Sequence, residues 1–395
     1  MVRVGYNGRR APARLRFEDL YRTGPDTLAG RYLRTFWQPV YRLEDLPPGR
    51  ALPLRIMGEE FTLYRGEDGT PHAVAFRCAH RGTQLSVGFV EGDCLRCRYH
   101  GWKYDATGQC VEMPAEAPSF PAKVRIRGYP TAEYLGLAFV YLGDGEPPPL
   151  PRFAEFEALE GVREVLRPQI WPCNFLQRLD NNDDSVHVVF THGQTYLADR
   201  RRGMPVVERW ESDWGTTSRV RYAEGAMQSF QFGMPNIFYF RLPGTERDVP
   251  WDERIQWMVP IDDEHTTEFR VRLVPVTGEA ATDYRARRAA EAATEGRDVV
   301  ELGEAILSGK LWLQDLEAAG TVGIRDLITL QDFVTQVGQG RVADRRQERL
   351  GRSDSGVIVF RQLWERELGA LAAGRRLKQW ARPAGLVPSF TPAPA

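Results

Sequence analysis

Two short Cys–His pairs are the strongest chemical signal in this 395-residue chain. The first is Cys78-Ala79-His80; after sixteen intervening residues comes Cys97-Arg98-Tyr99-His100. Two thiolates and two imidazoles on two turns can divide between two irons, sulfur on one and nitrogen on the other. That is the donor set of a [2Fe–2S] cluster in which histidines replace two cysteines. Each pair follows a strand-like run, and Gly82 and Gly101 allow backbone amides to approach the sulfurs. The alternative is one tetrahedral zinc site from the same four side chains, although zinc folds more often open with C-x2-4-C than with C-x-H. Cys94 spells C-x-x-C with Cys97, but as a ligand it would leave His100 too distant for a shared tight turn. Cys94, Cys110 and Cys173 read instead as small buried or turn residues.

A second pair, His187 and His192, follows Asn181-Asn182-Asp183-Asp184. Asn174 to Val189 reads as helix. At about 100° per residue, with His187 at zero, His192 falls at about 140°, Asp184 at about 60° and Asn181 at about 120°. All four then share one side, while Val186 and Val189 point elsewhere. A polar helix face with two incidental histidines is the bland alternative. Yet four of the six histidines in the chain lie in the two motifs. Two imidazoles and one carboxylate suit a mononuclear iron with open positions.

Together, Cys78-x-His80 … Cys97-x-x-His100 and Asn181-x-x-Asp184-x-x-His187-x4-His192 resemble the catalytic α subunit of Rieske non-haem iron oxygenases. The likeness runs over roughly residues 27–375. It is strongest to the phthalate dioxygenase-like branch with its aromatic O-demethylases. Trp171-Pro172-Cys173-Asn174-Phe175-Leu176-Gln177, Gln331-Asp332 … Gln339-Gly340-Arg341 and Leu350-Gly351-Arg352-Ser353-Asp354 support that branch. The resemblance implies an α+β fold: an N-terminal all-β Rieske domain, then a catalytic domain whose antiparallel sheet grips a long helix. It implies a [2Fe–2S] cluster on Cys78, His80, Cys97 and His100, and Fe(II) on His187, His192 and Asp332. Asp184 resembles the carboxylate that bridges an iron histidine and a cluster histidine; otherwise it is an ordinary surface acid. Head-to-tail homotrimers are implied, one chain's cluster feeding the next chain's iron. Gln336 departs from the aromatic of close relatives.

The implied reaction is hydroxylation or O-demethylation of an aromatic compound with O2, methoxy cleavage passing through a hemiacetal. The alternatives are cis-dihydroxylation of an arene and a Rieske electron carrier without oxygen chemistry. NAD(P)H electrons would come through a separate reductase, with or without a ferredoxin, because the chain has no G-x-G-x-x-G fingerprint and no second cysteine cluster.

The elements that must position these groups change texture along the chain. Residues 27–39 carry Leu28, Tyr32, Leu33 and Phe36 at helical spacing. Short strand-like runs with turn signals then continue to about Leu142. The stretch Gly143 to Pro151 is dense in Gly and Pro and reads as a stiff connector. The expected units are residues 1–150, 151–380 and a Pro-rich tail 381–395. Within the second unit, 279–306 and 355–380 read as helices, and Val259 and Phe269 to Leu273 as half-buried strands. Aromatic pocket lining or core packing would each explain Phe230, Phe232 and Met234. Trp102 would shield the cluster or plug the small β domain. Arg200-Arg201-Arg202 reads as a solvated loop, and His72 and His265 as solvated side chains.

Composition sets limits. Lys+Arg 52 against Asp+Glu 53 gives a net charge of −1, without the basic excess usual in nucleic-acid binders. The longest apolar run, Tyr134 to Leu142, is far short of the about 20 residues of a membrane span. The first residues show no apolar stretch of the signal-peptide kind. Five cysteines make no disulfide framework, so reduced thiols and a cytoplasmic location are expected.

Overall fold

A computed structural model describes residues 15–193, 204–222, 227–244, 249–294, 298–320 and 324–381. The Arg200–Arg202 run and all but the first residue of the expected tail lie outside the described residues. Two short helices open the chain, α1 (Phe17–Tyr21) and α2 (Leu28–Leu33). The helical spacing of 27–39 therefore stops early, and strand β1 (Trp37–Arg42) begins where helix was expected. Pro39 sits in that strand, opposite a register shift where its missing N–H does little harm.

Three small antiparallel sheets follow. One is β2 (Ala51–Ile56), β3 (Glu59–Arg65), β4 (Pro71–Ala75) and later β9 (Gly128–Tyr129). A second, made of β5 (Phe89–Glu91), β6 (Cys94–Arg96), β7 (Lys103–Tyr104) and β8 (Cys110–Glu112), projects from it. In the third, β11 (Leu137–Tyr141) lies between β1 and β10 (Thr131–Tyr134), every residue of β11 being buried. Positive φ at Met57 and Gly58 gives the tight β2–β3 turn, the geometry that twisted hairpins favour.

The 143–151 stretch has no regular structure. The chain on its two sides nevertheless shares one core: Phe139 and Phe153 both pack edge-on against Trp257, at 5.7 and 6.0 Å. Beyond it come α3 (Ala154–Ala158) and an eight-stranded antiparallel sheet. Its strands are β12 (Val162–Val165), β13 (Gln169–Trp171), β14 (Val206–Glu211), β15 (Gly215–Arg221), β16 (Met227–Gly233), β17 (Ile237–Pro243), β18 (Trp251–Pro260) and β19 (Thr266–Val274). The order is β12-β19-β18-β17-β16-β15-β14, with β13 also on β19. β18 and β19 are buried on both faces rather than half-buried as expected. The first-region strands cover one side and helices the other. Their inward charges are paired, Arg272 with Asp252 at 2.9 Å, which makes such burial tolerable.

The segment 174–189 is not one helix. It is α4 (Phe175–Asp183) and α5 (His187–Thr191), with a break at Asp184–Val186. The physical reason is the run Asn181-Asn182-Asp183-Asp184-Ser185, whose short polar side chains compete with helical bonding. Asp184 Oδ1 accepts from the backbone N–H groups of Val186 (2.8 Å) and His187 (3.2 Å) and so starts the next helix. The helices that follow are α6 (Gly278–Thr294), α7 (Val299–Leu307), α8 (Leu313–Ala319), α9 (Ile324–Val337) and α10 (Ser355–Ala372). The expected helix over 279–306 is thus two helices. The long helix lying on the sheet is α10, whose Phe360 meets Phe232 of β16 at 4.7 Å.

α9 is held on two sides, by α4 and by α7. Gln177 Nε2 donates to the Gln336 and Gly340 carbonyls, both at 2.9 Å, capping the end of α9. On the far side of α9, Phe333 packs on α7, where a Cβ at Gly303 would meet its ring at 2.1 Å. The apolar stripe Leu330, Phe333, Val334 and Val337 thus serves a helix–helix contact as well as Trp171 at the sheet edge.

Candidate metal centres

The two cluster turns have the same main-chain frame. Cys78 N–H donates to Thr83 O and Cys97 N–H to Trp102 O, each at 2.8 Å. Gly82 N–H returns to Cys78 O at 3.0 Å and Gly101 N–H to Cys97 O at 3.1 Å. Both glycines have positive φ, 74° and 75°, which closes each turn and which side-chain-bearing residues rarely adopt. The thiols point inward, Cys78 and Cys97 being 3% and 2% exposed, while His80 is exposed and His100 half-buried. The imidazole centroids lie 4.4 Å apart. Sulfur inside and nitrogen outside is the polarity that an asymmetric two-iron cluster needs, so the donor set fits. Burial, with Cys78 alongside, pushes the Cys97 thiol up, a penalty that a bound cation removes.

Trp102 lies flat on His80, at 4.5 Å and 8°, and also belongs to the small core with Cys78, Cys97 and Leu95. It is therefore a core residue of the small β domain that also covers one face of the His80 ring. The Tyr104 hydroxyl stands 3.3 Å from Cys78 Sγ. Cys94 contacts Asp93, Cys110 lies in the small core and Cys173 beneath α9. His72 is half-buried against the Tyr64 ring rather than solvated, and His265 bonds Asp262 at 2.9 Å.

In the second region, His187, His192 and Asp332 come together with their donor atoms within 4.8 Å of one another. Asp332 Oδ1 is 3.4 Å from His192 Nε2 and 3.8 Å from His187 Nε2. The other ring nitrogens are occupied. His187 Nδ1 bonds the Asp184 main-chain carbonyl, and His192 Nδ1 bonds Gln331 Oε1 at 3.0 Å. Gln331 in turn donates to Glu317 at 2.7 Å. Both Nε2 atoms are thereby turned to one point beside the carboxylate, as metal-binding histidines require.

The electrostatics agree with a cation site. Burial opposes charge on Asp332, yet His192, His187 and Arg178 hold it down at about 2. Burial lowers His187; at His192 burial is outweighed by the hydrogen bonds that the protonated ring donates to Asp332 and Gln331 and by the Asp332 charge, which together raise it. Two imidazoles and an anionic carboxylate suit a divalent iron with free positions. α9 carries a second acid, Asp326, an alternative third ligand whose side chain lies outside the described residues.

These donors open into a cavity of about 230 Å3. Phe230, Phe238 and Phe240 form its aromatic wall, the first two stacked at 5.9 Å. Phe232 and Met234 belong to the core instead. Sequence reasoning missed the charged floor. Arg178 meets Glu268 at 2.6 Å and Gln336 at 2.5 Å, and lies 3.6 Å over Trp171. Gln336, in place of an aromatic, is one anchor of this network. Only the inward alternation of Glu268 and Arg270 in β19 signalled it.

The Rieske [2Fe-2S] domain family matches residues 36–130. The 5,5'-dehydrodivanillate O-demethylase oxygenase subunit of Sphingobium sp. (strain NBRC 103272 / SYK-6) is 30% identical, over 90% of this chain and 80% of that protein. Phenoxybenzoate dioxygenase subunit alpha of Ectopseudomonas oleovorans is also 30% identical, over 88% and 83%. The fold is shared with Pseudomonas putida CBB5 NdmA, at a TM-score of 0.65 and 20% identity over 88% of this chain and 94% of that one. With relatives of this similarity over nearly its whole length, the chain belongs to the Rieske non-haem iron oxygenases, as an oxygenase α subunit.

Proposed function

We propose that this chain is the terminal oxygenase that hydroxylates or O-demethylates an aromatic compound with O2 and electrons from a separate reductase. The observation that carries the reading is the His187–His192–Asp332 triad opening into a cavity with a phenylalanine wall. A bare electron carrier needs no such cavity. When bound, the mononuclear iron supplies O2 activation, and the cluster supplies single electrons.

In this reading Cys78, His80, Cys97 and His100 hold the cluster, and Trp102 keeps water from the His80 face. His187, His192 and Asp332 hold Fe(II), with Gln331 orienting His192. Phe230, Phe238 and Phe240 receive the ring. Asp184 passes the electron between a cluster histidine of a neighbouring subunit and His187; its carboxylate lines the cavity three residues from that ligand, which supports the role. The assembly is a head-to-tail homotrimer, residues 1–150 forming the electron-carrying unit and 151–380 the catalytic unit. No helix among the described residues is long and apolar enough to cross a membrane. We assign the enzyme to the cytoplasm, where NAD(P)H and reduced thiols are available.

Anaerobically purified protein, given a surrogate reductase and NADH, should oxidise members of a panel of aromatic acids and methoxyarenes. Formaldehyde release identifies demethylation, and a cis-diol identifies dihydroxylation. Stoichiometric zinc without acid-labile sulfide would end the oxygenase reading.

A further inference from the structure

We infer that Arg270 grips the substrate and that the substrate is an aromatic carboxylate, a conclusion that rests on the oxygenase reading above. Among the described residues four guanidinium groups line the cavity: Arg178, Arg254, Arg270 and Arg272. Three of them have close partners. Arg178 is held by Glu268 and Gln336. Arg254 takes both oxygens of Asp252, at 2.8 and 2.9 Å. Arg272 shares Asp252 and donates to the Tyr284 hydroxyl at 2.8 Å.

Arg270 differs. Its Nε is buried without a hydrogen-bond partner and lies 3.5 Å from Glu268 Oε1, while Arg178 holds the other oxygen of that carboxylate. Its Nη2 reaches Gln169 only at 3.4 Å. The side chain is 22% exposed and faces the cavity. A partly desolvated guanidinium with long contacts is an incomplete site, and an anion completes it.

Charge balance points the same way. Among the described residues Glu268 and Asp252, with Glu164 at 3.9 Å from Arg272, answer the four guanidinium groups, and Glu164 also serves Arg288, while Asp332 faces the histidines and Asp184 caps α5. The cavity therefore favours an anionic ligand. Its Phe230, Phe238 and Phe240 wall favours that ligand's aromatic ring. A carboxylate presents two oxygens to the guanidinium fork, whereas a phenolate presents one. Arg270 also stands opposite Gln256 in the β18–β19 register, and both line the cavity, so Gln256 can donate to the same anion.

The test uses the three methoxybenzoate isomers, their methyl esters and the matching methoxyphenols. Each is titrated calorimetrically into iron-loaded protein and then offered with NADH and a surrogate reductase. The acids should bind at least about tenfold more tightly than the esters and phenols. Arg270→Gln should weaken the acids on the order of 10- to 100-fold, the range for a hydrogen bond to a charged group. It should leave the esters within about twofold and the iron content unchanged, as expected when only the carboxylate contact is lost. Arg270→Lys should recover part of the loss, which separates a charge contact from a folding defect. Esters or phenols bound as well as acids, acids not bound at all, or a variant that weakens all three classes equally would overturn the inference. Neutral arenes oxidised without preference for acids would refute it and leave the oxygenase reading intact. Acids bound with no O2 uptake across the panel would count against the oxygenase reading and leave the carboxylate site standing.

Discussion

The proposed cluster ligands sit on two turns of one short stretch, each closed by its own main-chain bonds, with the imidazoles at the surface. The proposed iron ligands come from the two ends of α5 and from α9, far apart in the chain, and are aligned by contacts with other elements: the Asp184 carbonyl, Gln331 and the packing of α9 on α7. A site built locally tolerates exposure and keeps its shape when its neighbours change. A site built from remote elements is only as ordered as the packing behind it. Electron entry needs the first arrangement, because a redox partner must come close. Oxygen chemistry needs the second, because water and stray electrons must be kept out.

If the two centres are independent, their metals should separate cleanly. Wild-type protein should hold about three irons and two acid-labile sulfides. Cys78→Ala should remove the sulfide and the paramagnetic signal of the reduced cluster, whereas His187→Ala should keep both and lose about one iron and all product. Loss of the cluster in His187→Ala would break the comparison. Asp332→Ala should behave like His187→Ala, while Asp326→Ala should retain its iron; the reverse would move the third ligand to Asp326.

A smaller effect is expected at the junction between centres. Asp184→Asn can still cap α5, so both metals should load. Substrate-coupled cluster oxidation, followed by stopped-flow absorbance, should slow toward the upper end of a roughly 10- to 100-fold range. Turnover at the wild-type rate would reduce Asp184 to a capping residue. Gln331→Ala should weaken iron binding by about tenfold, at the lower end of that range, because His192 loses the acceptor of its Nδ1 proton. Competition with a chelator would measure this.

The mildest change concerns the cluster hairpin. Arg96 clamps Glu91 of β5 and Glu112 of β8, at 2.7 and 2.8 Å. Its hydrogen bond holds the Glu91 carboxyl down at about 2. With the folded value depressed, this contribution is complete above the unfolded carboxylate value of about 4.3 and is lost as pH falls toward about 2. Glu91 is 40% exposed, so solvent screens most of the effect. Glu91→Gln should therefore raise the pH at which the cluster absorbance bleaches by only about a few tenths of a unit, with no change at neutral pH.

Legibility from sequence followed the same divide. The cluster motif was readable because ligand, turn glycine and strand are adjacent in the chain. His187 and His192 were readable as a pair, but through a continuous helix that Asp184 interrupts; Asn-Asn-Asp-Asp-Ser is a helix-start signal as much as a polar face. Periodicity alone placed Asp332 among polar residues that could have been solvated. Of its neighbours on that face, Gln339 is exposed as expected, but Gln336 is buried at 1% because its partner Arg178 lies on α4. The Arg178–Glu268–Gln336 network was not legible, since its members come from three separate elements. β19 misled for a related reason: charged residues alternating with apolar ones imply one wet face, unless both faces are covered and the charges are paired.

At position 184 the main chain and the side chain serve different masters. The carbonyl fixes the ring of His187, while the carboxylate begins α5 and looks into the cavity. A codon change can alter only the second of these. Among residues that can still accept from the Val186 and His187 amides, such as Asn, Ser and Thr, mutagenesis at 184 can therefore vary charge and size while the carbonyl that tethers the neighbouring imidazole stays in place.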